Sequence, residues 1–357
     1  MTDRVVELFR ELTEAPGVPG FEEPVRAVLR KHLSPLGEIL QDRLGSLVAR
    51  KQGTSAQPKV MVAGHMDEIG FLVTRITEEG YLKFQTLGGW WSQVMLAQRV
   101  RVWTRQGPVL GVIGSKPPHL LDEEERKKPV DPKDMYIDVG ATSREEAERF
   151  GIRPGDPVVP ESPFSVLHNP RLMVAKAWDN RFGCAAVVEI LRALHEEPHP
   201  NTVYGVCSVQ EEVGLRGAQT ATHLVQPDVG IALDTGIAGD TPAVKPDEAQ
   251  AKLGKGPVIL LYDASMIPHV RLRDLVVEVA ETEGIPYQFD RVARGGTDAG
   301  RIHTFGVGVP SIVIGAPVRY IHSHNAVLHR DDFDHAVRLV PAVIRRLDAA
   351  TLEHLVS

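Results

Sequence analysis

Cysteine is nearly absent: Cys184 and Cys207 are the two in 357 residues, each inside an apolar segment. That excludes a disulfide framework and any cysteine-rich zinc knuckle, and it suits a reducing compartment. No apolar run approaches the roughly 18 residues that a membrane helix needs, so no membrane partner is expected. Excess positive charge is missing too, since 40 Lys and Arg stand against 47 Asp and Glu for a net charge of −7, with the cations scattered. The footprint of a nucleic-acid binder is therefore lacking. The opening residues Met1-Thr2-Asp3-Arg4-Val5-Val6-Glu7 have neither the basic nor the apolar region of a secretory leader, and a cytoplasmic protein is expected. Histidine, by contrast, is plentiful at 14 residues. Several of these, among them His32, His195, His199 and His354, sit in charged segments where an exposed imidazole needs no explanation.

Hydrophobic 43% and charged 24% are ordinary proportions for a globular protein, and the length suggests about two domains. The apolar spacing of Val5 to Leu12 predicts an amphipathic helix, broken by Pro16-Gly17 and Pro19-Gly20, with a second helix from about Glu22 to His32. Lys59-Val60-Met61-Val62-Ala63 reads as a buried strand that delivers Gly64-His65-Met66-Asp67 at its carboxyl end. From Phe71 to Pro163 the texture changes to short alternating runs between Gly and Pro turns, a small β-domain pattern. After Pro163 longer elements return: helices near 180–195, 268–283 and 332–352, and strands near 203–209, 229–233, 258–261 and 309–314. The reading is a layered α/β domain with a central mixed sheet, made of residues 1–70 and 164–357 and interrupted by a β-barrel-like insertion at 71–163. The charged stretch Leu121 to Asp134 is the candidate mobile loop.

Five places combine a strand end with metal-type ligands: His65-Met66-Asp67, Asp179-Asn180, Glu211-Glu212, Asp234-Thr235-Gly236 and His322-Ser323-His324. Sites in open α/β sheets form outside the carboxyl ends of strands, so residues far apart in sequence converge there. A set of histidines and carboxylates without cysteine points to hydrolytic metal chemistry. A pair of divalent cations about 3.5–4 Å apart needs one carboxylate that bridges both, and a second, unligated carboxylate can take the proton from an attacking water. Glu211-Glu212 suits such a division, because neighbours at a strand tip project in different directions.

Gly64-His65-Met66-Asp67-Glu68-Ile69-Gly70, Ala177-Trp178-Asp179-Asn180-Arg181, Gln210-Glu211-Glu212-Val213-Gly214, Asp234-Thr235-Gly236 and Arg319-Tyr320-Ile321-His322-Ser323 resemble the signature motifs of the tetrahedral (TET) two-metal aminopeptidases. Gly88-Gly89-Trp90, Lys116-Pro117-Pro118-His119 and Gly295-Gly296-Thr297-Asp298 are similar as well. The resemblance implies His65 and Asp234 on one ion, Glu212 and His322 on the other, and Asp179 bridging. It implies Glu211 as general base and Asp67 as the residue that orients His65. It also implies dimer contacts through the insertion, with assembly as a dimer or a hollow tetrahedral dodecamer. One departure stands out: His-Ser is followed here by His324-Asn325-Ala326, where many relatives have proline and later glutamate. A role for His324 other than metal ligand is favoured.

The expected activity is a metal-dependent aminopeptidase that removes N-terminal residues from short peptides, with a water between two ions as nucleophile. Zinc or cobalt fits the ligand set and manganese is compatible. Rival readings are a metallo-deacylase or carboxypeptidase of the same chemistry, a glycosidase built on Glu211 and another carboxylate, and a non-catalytic metal-stabilised scaffold.

Overall fold

A computed structural model of the chain describes residues 3–357. Its centre is four parallel neighbours, in the spatial order Thr202–Ser208, Lys59–His65, Val229–Ile237 and Ser311–Arg319. Each is buried along nearly its whole length, which explains why their sequences run apolar on both faces rather than alternating. Antiparallel strands extend the sheet on both sides: Leu47–Gln52 and Glu38–Gln41 beyond Thr202–Ser208, and Ala326–His329, Leu172–Ala175 and Ser165–Val166 beyond Ser311–Arg319.

The helix Trp178–Glu196 crosses one face of this sheet, and small residues let it approach closely. A Cβ on Gly64 would meet the Gly183 carbonyl carbon at 2.6 Å, so strand and helix touch backbone to backbone there. Phe9, on the N-terminal helix Arg4–Glu14, lies edge-on to both Trp178 at 5.0 Å and Phe333 at 4.7 Å. Such aromatic pairs add about 0.5–1.5 kcal/mol each beyond burial, tying three helices into one core.

Six strands between Gly70 and Pro160 close a separate barrel with its own core around Phe71, Val102, Ile113 and Ile137. The β-rich expectation for this stretch thus corresponds to a barrel, and the fold is mixed α/β as read. Leu121 to Asp134 holds a turn of helix, Glu123–Arg126, closed by a reciprocal cap between Asp122 and Glu125. The expected single C-terminal helix is two, Arg330–Arg346 and Ala349–Val356, because the Asp348 side chain accepts the Thr351 N–H and starts a new helix. None of the described helices is long and apolar enough to cross a membrane.

Candidate active site

The carboxyl ends of the four parallel strands meet at one crevice, and all five sequence motifs reach it. His65 ends its strand, and Asp234 sits within Val229–Ile237. Glu211 and Glu212 follow Ser208 by a short turn, and His322 follows Arg319 by another, with left-handed φ of 54° at Gln210 and 56° at His322. Asp179 opens the central helix with non-helical dihedrals, and the Asp179–Asn180 peptide is cis. Asn180 fixes this corner: its Nδ2 donates to the Leu233 carbonyl at 2.7 Å, and its Oδ1 accepts the Gly183 N–H at 2.8 Å.

Asp179 stands between the histidines. Its Oδ1 lies 3.1 Å from His65 Nε2, and its Oδ2 lies 3.2 Å from His322 Nε2. Asp234 Oδ1 is 3.9 Å from His65 Nε2, and Glu212 Oε1 is 3.6 Å from His322 Nε2. Two candidate ligand groups result, His65–Asp179–Asp234 and Asp179–Glu212–His322, sharing the aspartate. A third, His65–Glu211–Glu212, overlaps both and sets Glu211 at the margin of the cluster, its Oε2 3.8 Å from His65 Nε2.

Several observations test whether divalent ions suit these residues. His65 Nδ1 is 3.0 Å from the Asp67 carbonyl and His322 Nδ1 is 2.7 Å from the Gly89 carbonyl. A carbonyl accepts only from N–H, so both rings present an unprotonated Nε2 to the cluster in their neutral form. Glu212 Oε1 is buried without a hydrogen-bond partner and faces one of those nitrogens. Burial pushes the Glu212 carboxyl up to about 8, with the Asp179 charge adding to the effect. Burial likewise raises Glu211 and Asp234 well above the carboxylate range. Burial works against protonation of His322, yet Asp179 and Glu212 hold it up at about 10. Carboxyls pushed this far up by burial hold protons that divalent ions would displace, and the donor set of imidazole nitrogens and carboxylates fits such ions.

Asp67 faces the second ring nitrogen of His65 with both its carbonyl and its carboxylate, and it also holds the glutamate doublet. Its backbone carbonyl, rather than its carboxylate, makes the closer contact with the His65 ring; the nearer carboxylate oxygen is 3.5 Å from Nδ1. The carboxylate also accepts the backbone N–H groups of Glu211 and Glu212, each at 3.0 Å. Gly89, in the loop after the barrel strand Leu82–Leu87, lies in the Gly88-Gly89-Trp90 stretch that resembles the family pattern. Its function in orienting His322 is a backbone contact with no residue signature.

The cluster opens into a cleft of about 650 Å³ whose further lining includes Leu215, Ile237, Val292 and Ile321 with Thr235, Arg294 and Gly295–Thr297. The Gly295-Gly296-Thr297-Asp298 turn therefore borders the cleft, while its Thr297 and Asp298 side chains bond internally to Asp263 and Ser208. His324 stands apart from the ligand groups, against Trp90 at 5.4 Å between ring centres. Trp90 stacks on Phe71 at 4.7 Å and donates to the Gly70 carbonyl, so it is a packing residue, whereas Trp91 is 61% exposed.

Several known proteins resemble the chain along nearly its whole length. The putative aminopeptidase FrvX of Escherichia coli (strain K12) is 42% identical over 346 residues, 96% of each chain. A TET aminopeptidase structure from the marine sediment archaeon Thaumarchaeota archaeon SCGC AB-539-E09 superposes with TM-score 0.97 at 50% identity, covering 99% of this chain and 100% of that one. The Pyrococcus horikoshii TET1 peptidase, which can assemble into a tetrahedron or a large octahedral shell, matches with TM-score 0.86 at 34% identity, covering 96% of this chain and 100% of that one. Residues 45–339 match the description of M42 glutamyl aminopeptidases, and with full-length relatives above 30% identity the chain belongs to that family and is an aminopeptidase.

Proposed function

We propose that the chain releases N-terminal residues from short peptides with two divalent ions, zinc or cobalt, held by His65, Asp179, Asp234, Glu212 and His322. The observation that carries this reading is Asp179 turning one oxygen to each histidine. When bound, a pair of divalent ions polarises the scissile carbonyl and acidifies the attacking water. Glu211, at the margin of the cluster, takes the water proton at its carboxylate and passes it to the leaving amine nitrogen as the peptide C–N bond breaks. Asp67 holds the doublet's backbone while it does so. The cleft, with Leu215, Ile237, Val292 and Ile321 on its walls beside Arg294, receives the side chain of the residue being released, and the acidic side chains around Asp179 favour a substrate carrying a free ammonium group. A glycosidase pairs two carboxyls without histidine ligands, and the histidines between these carboxylates favour the peptidase reading over it. We further infer that the barrel stretch 71–163 mediates self-association; the Pyrococcus relative is one that assembles into shells.

The doublet tests the reading. Glu211→Gln should keep both ions and lower kcat by about 10²–10⁴-fold, the usual worth of a general base. Glu212→Gln should lose one ion per chain, because a neutral amide is a poorer ligand. In the wild-type enzyme, free-amine peptides should be cleaved far faster than acetylated ones. Elemental analysis beside turnover decides: metal loss in Glu211→Gln with full occupancy in Glu212→Gln overturns the assignment, and equal cleavage of acetylated peptides points to the deacylase alternative.

A further inference from the structure

Gln210 enters the catalytic turn with a φ of 54°, a left-handed conformation that a residue with a Cβ adopts only where its surroundings hold it. Its N–H donates to Glu22 Oε1 at 3.1 Å. The next two N–H groups donate to the two oxygens of Asp67. Three successive backbone donors, at 210, 211 and 212, thus end on two buried carboxyl groups brought from different parts of the chain.

Glu22 has no other evident purpose. It is 3% exposed and lies between the helices Arg4–Glu14 and Glu23–Leu33, where its side chain makes no cap for the second helix. Among the described residues no cation pairs with it, and its remaining bond is from the Gly20 N–H at 2.8 Å, also to Oε1. Burial, with the Asp67 charge nearby, pushes the carboxyl up to about 7. Either protonation state leaves Oε1 free to accept. Burying such a group away from any cation is costly, and its one long-range bond is to the residue before the glutamate doublet.

We propose that Glu22 is a positioning residue: by accepting the Gln210 N–H it sets the tilt of the turn from which Glu211 and Glu212 hang. The inference rests on the assignment of Glu211 to proton transfer. Misplacing a reacting group by on the order of 1 Å costs up to about 10²-fold in rate, so a tilt of this turn should register in kcat.

Two conservative variants of the full chain separate reach from charge. Glu22→Gln keeps the length and an acceptor oxygen, and Glu22→Asp keeps the charge but withdraws it by one methylene. In metal-stripped protein, hydrogen exchange across 209–213 should quicken roughly tenfold in Glu22→Asp, as for the loss of one buried hydrogen bond, and stay near wild type in Glu22→Gln. With ions restored, Glu22→Asp should lose about 10–100-fold in kcat at nearly constant KM, and Glu22→Gln should recover most of it. Unchanged exchange in Glu22→Asp overturns the proposal, as does an impaired Glu22→Gln beside a normal Glu22→Asp, or faster exchange with unaltered kcat. The exchange measurement needs no substrate, so it stands or falls separately from the aminopeptidase mechanism.

Discussion

His65 and His322 are alike in chemistry and unlike in support. Each sets its Nδ1 on a backbone carbonyl and its Nε2 toward Asp179, yet the His65 side chain is 2% exposed and that of His322 35%. The inner half of the cluster, His65 with Asp234, belongs to two adjacent parallel strands, and its orienting carbonyl lies two residues along the same chain segment. The outer half, Glu212 with His322, hangs on left-handed turns, and its carbonyl comes from Gly89 in the barrel. One site is built by a sheet; the other is completed only where two substructures meet. The inner ion is therefore expected to bind more tightly, and the outer to respond to any shift of the barrel.

The largest effect should come from removing what the halves share. Asp179→Asn takes the bridging charge from both, and we expect both ions to bind weakly with activity down by about 10³-fold, consistent with the several kcal/mol that such ions contribute. His322→Ala should leave the inner ion at full occupancy, and Asp234→Ala the outer. Metal titration followed by calorimetry checks this. Two ions leaving together in His322→Ala would show that the halves are one unit.

The inner half was the more legible in sequence, for a physical reason. Lys59–Ala63 and Val229–Leu233 are apolar on both faces because they are covered on both, so the first polar residue after each apolar run marks the crevice. The outer half depends on contacts made by backbone atoms. Nothing in Gly88-Gly89 spells out that the second carbonyl faces a histidine over two hundred residues away. Ser311–Arg319 also extends past its expected end, since Gly315-Ala316-Pro317 reads as a turn yet is buried and paired with Asp234-Thr235-Gly236. The helix Arg216–Val225 was missed although its buried Ala218, Ala221, Thr222 and Val225 stand at helical spacing, because small and β-branched residues at those positions are only weakly apolar. Glu22 left no trace beyond an acidic residue beside a helix start.

A milder perturbation targets the outer half from the barrel side. Gly88 has a φ of 79°, and a Cβ there would lie 2.5 Å from Ile69 Cγ2 and 3.0 Å from Glu212 Oε2. Gly88→Ala should therefore displace the loop that supplies the Gly89 carbonyl. Affinity for the outer ion is expected to fall by about 10–100-fold, the usual cost of losing a contact that orients a ligand, with the inner ion unaffected. An equal loss at both ions would remove the distinction between a sheet-built and a junction-built half.

The smallest effect on turnover should come from the charge network beside the cluster, where Glu68 and Lys176 line a small cavity with Asp179, Glu212 and His322. Lys176 Nζ donates to both Glu68 oxygens, at 2.6 and 2.8 Å, and Arg181 reaches the same carboxylate at 3.2 Å while its Nε holds the Met66 carbonyl. Burial pushes the Lys176 ammonium down to about 8, against the pull of Glu68. The unfolded value is near 10.4, so the folded chain gives up this proton more readily than the unfolded one. A lowered pKa contributes stability that is fully present above the unfolded value and lost as pH falls through the folded one. Between pH 10.4 and 8 the metal-stripped protein should accordingly lose up to about 3 kcal/mol through this lysine. Lys176→Met cannot titrate, so the difference in unfolding free energy between wild type and variant should shift toward the variant across that interval as pH falls. Denaturant titrations at pH 8, 9 and 10 measure it, and other groups that titrate in both proteins cancel in the difference. A difference independent of pH would mean that Lys176 keeps an ordinary pKa, and that this corner of the site rests on hydrogen bonds to Glu68 rather than on a buried charge held against desolvation.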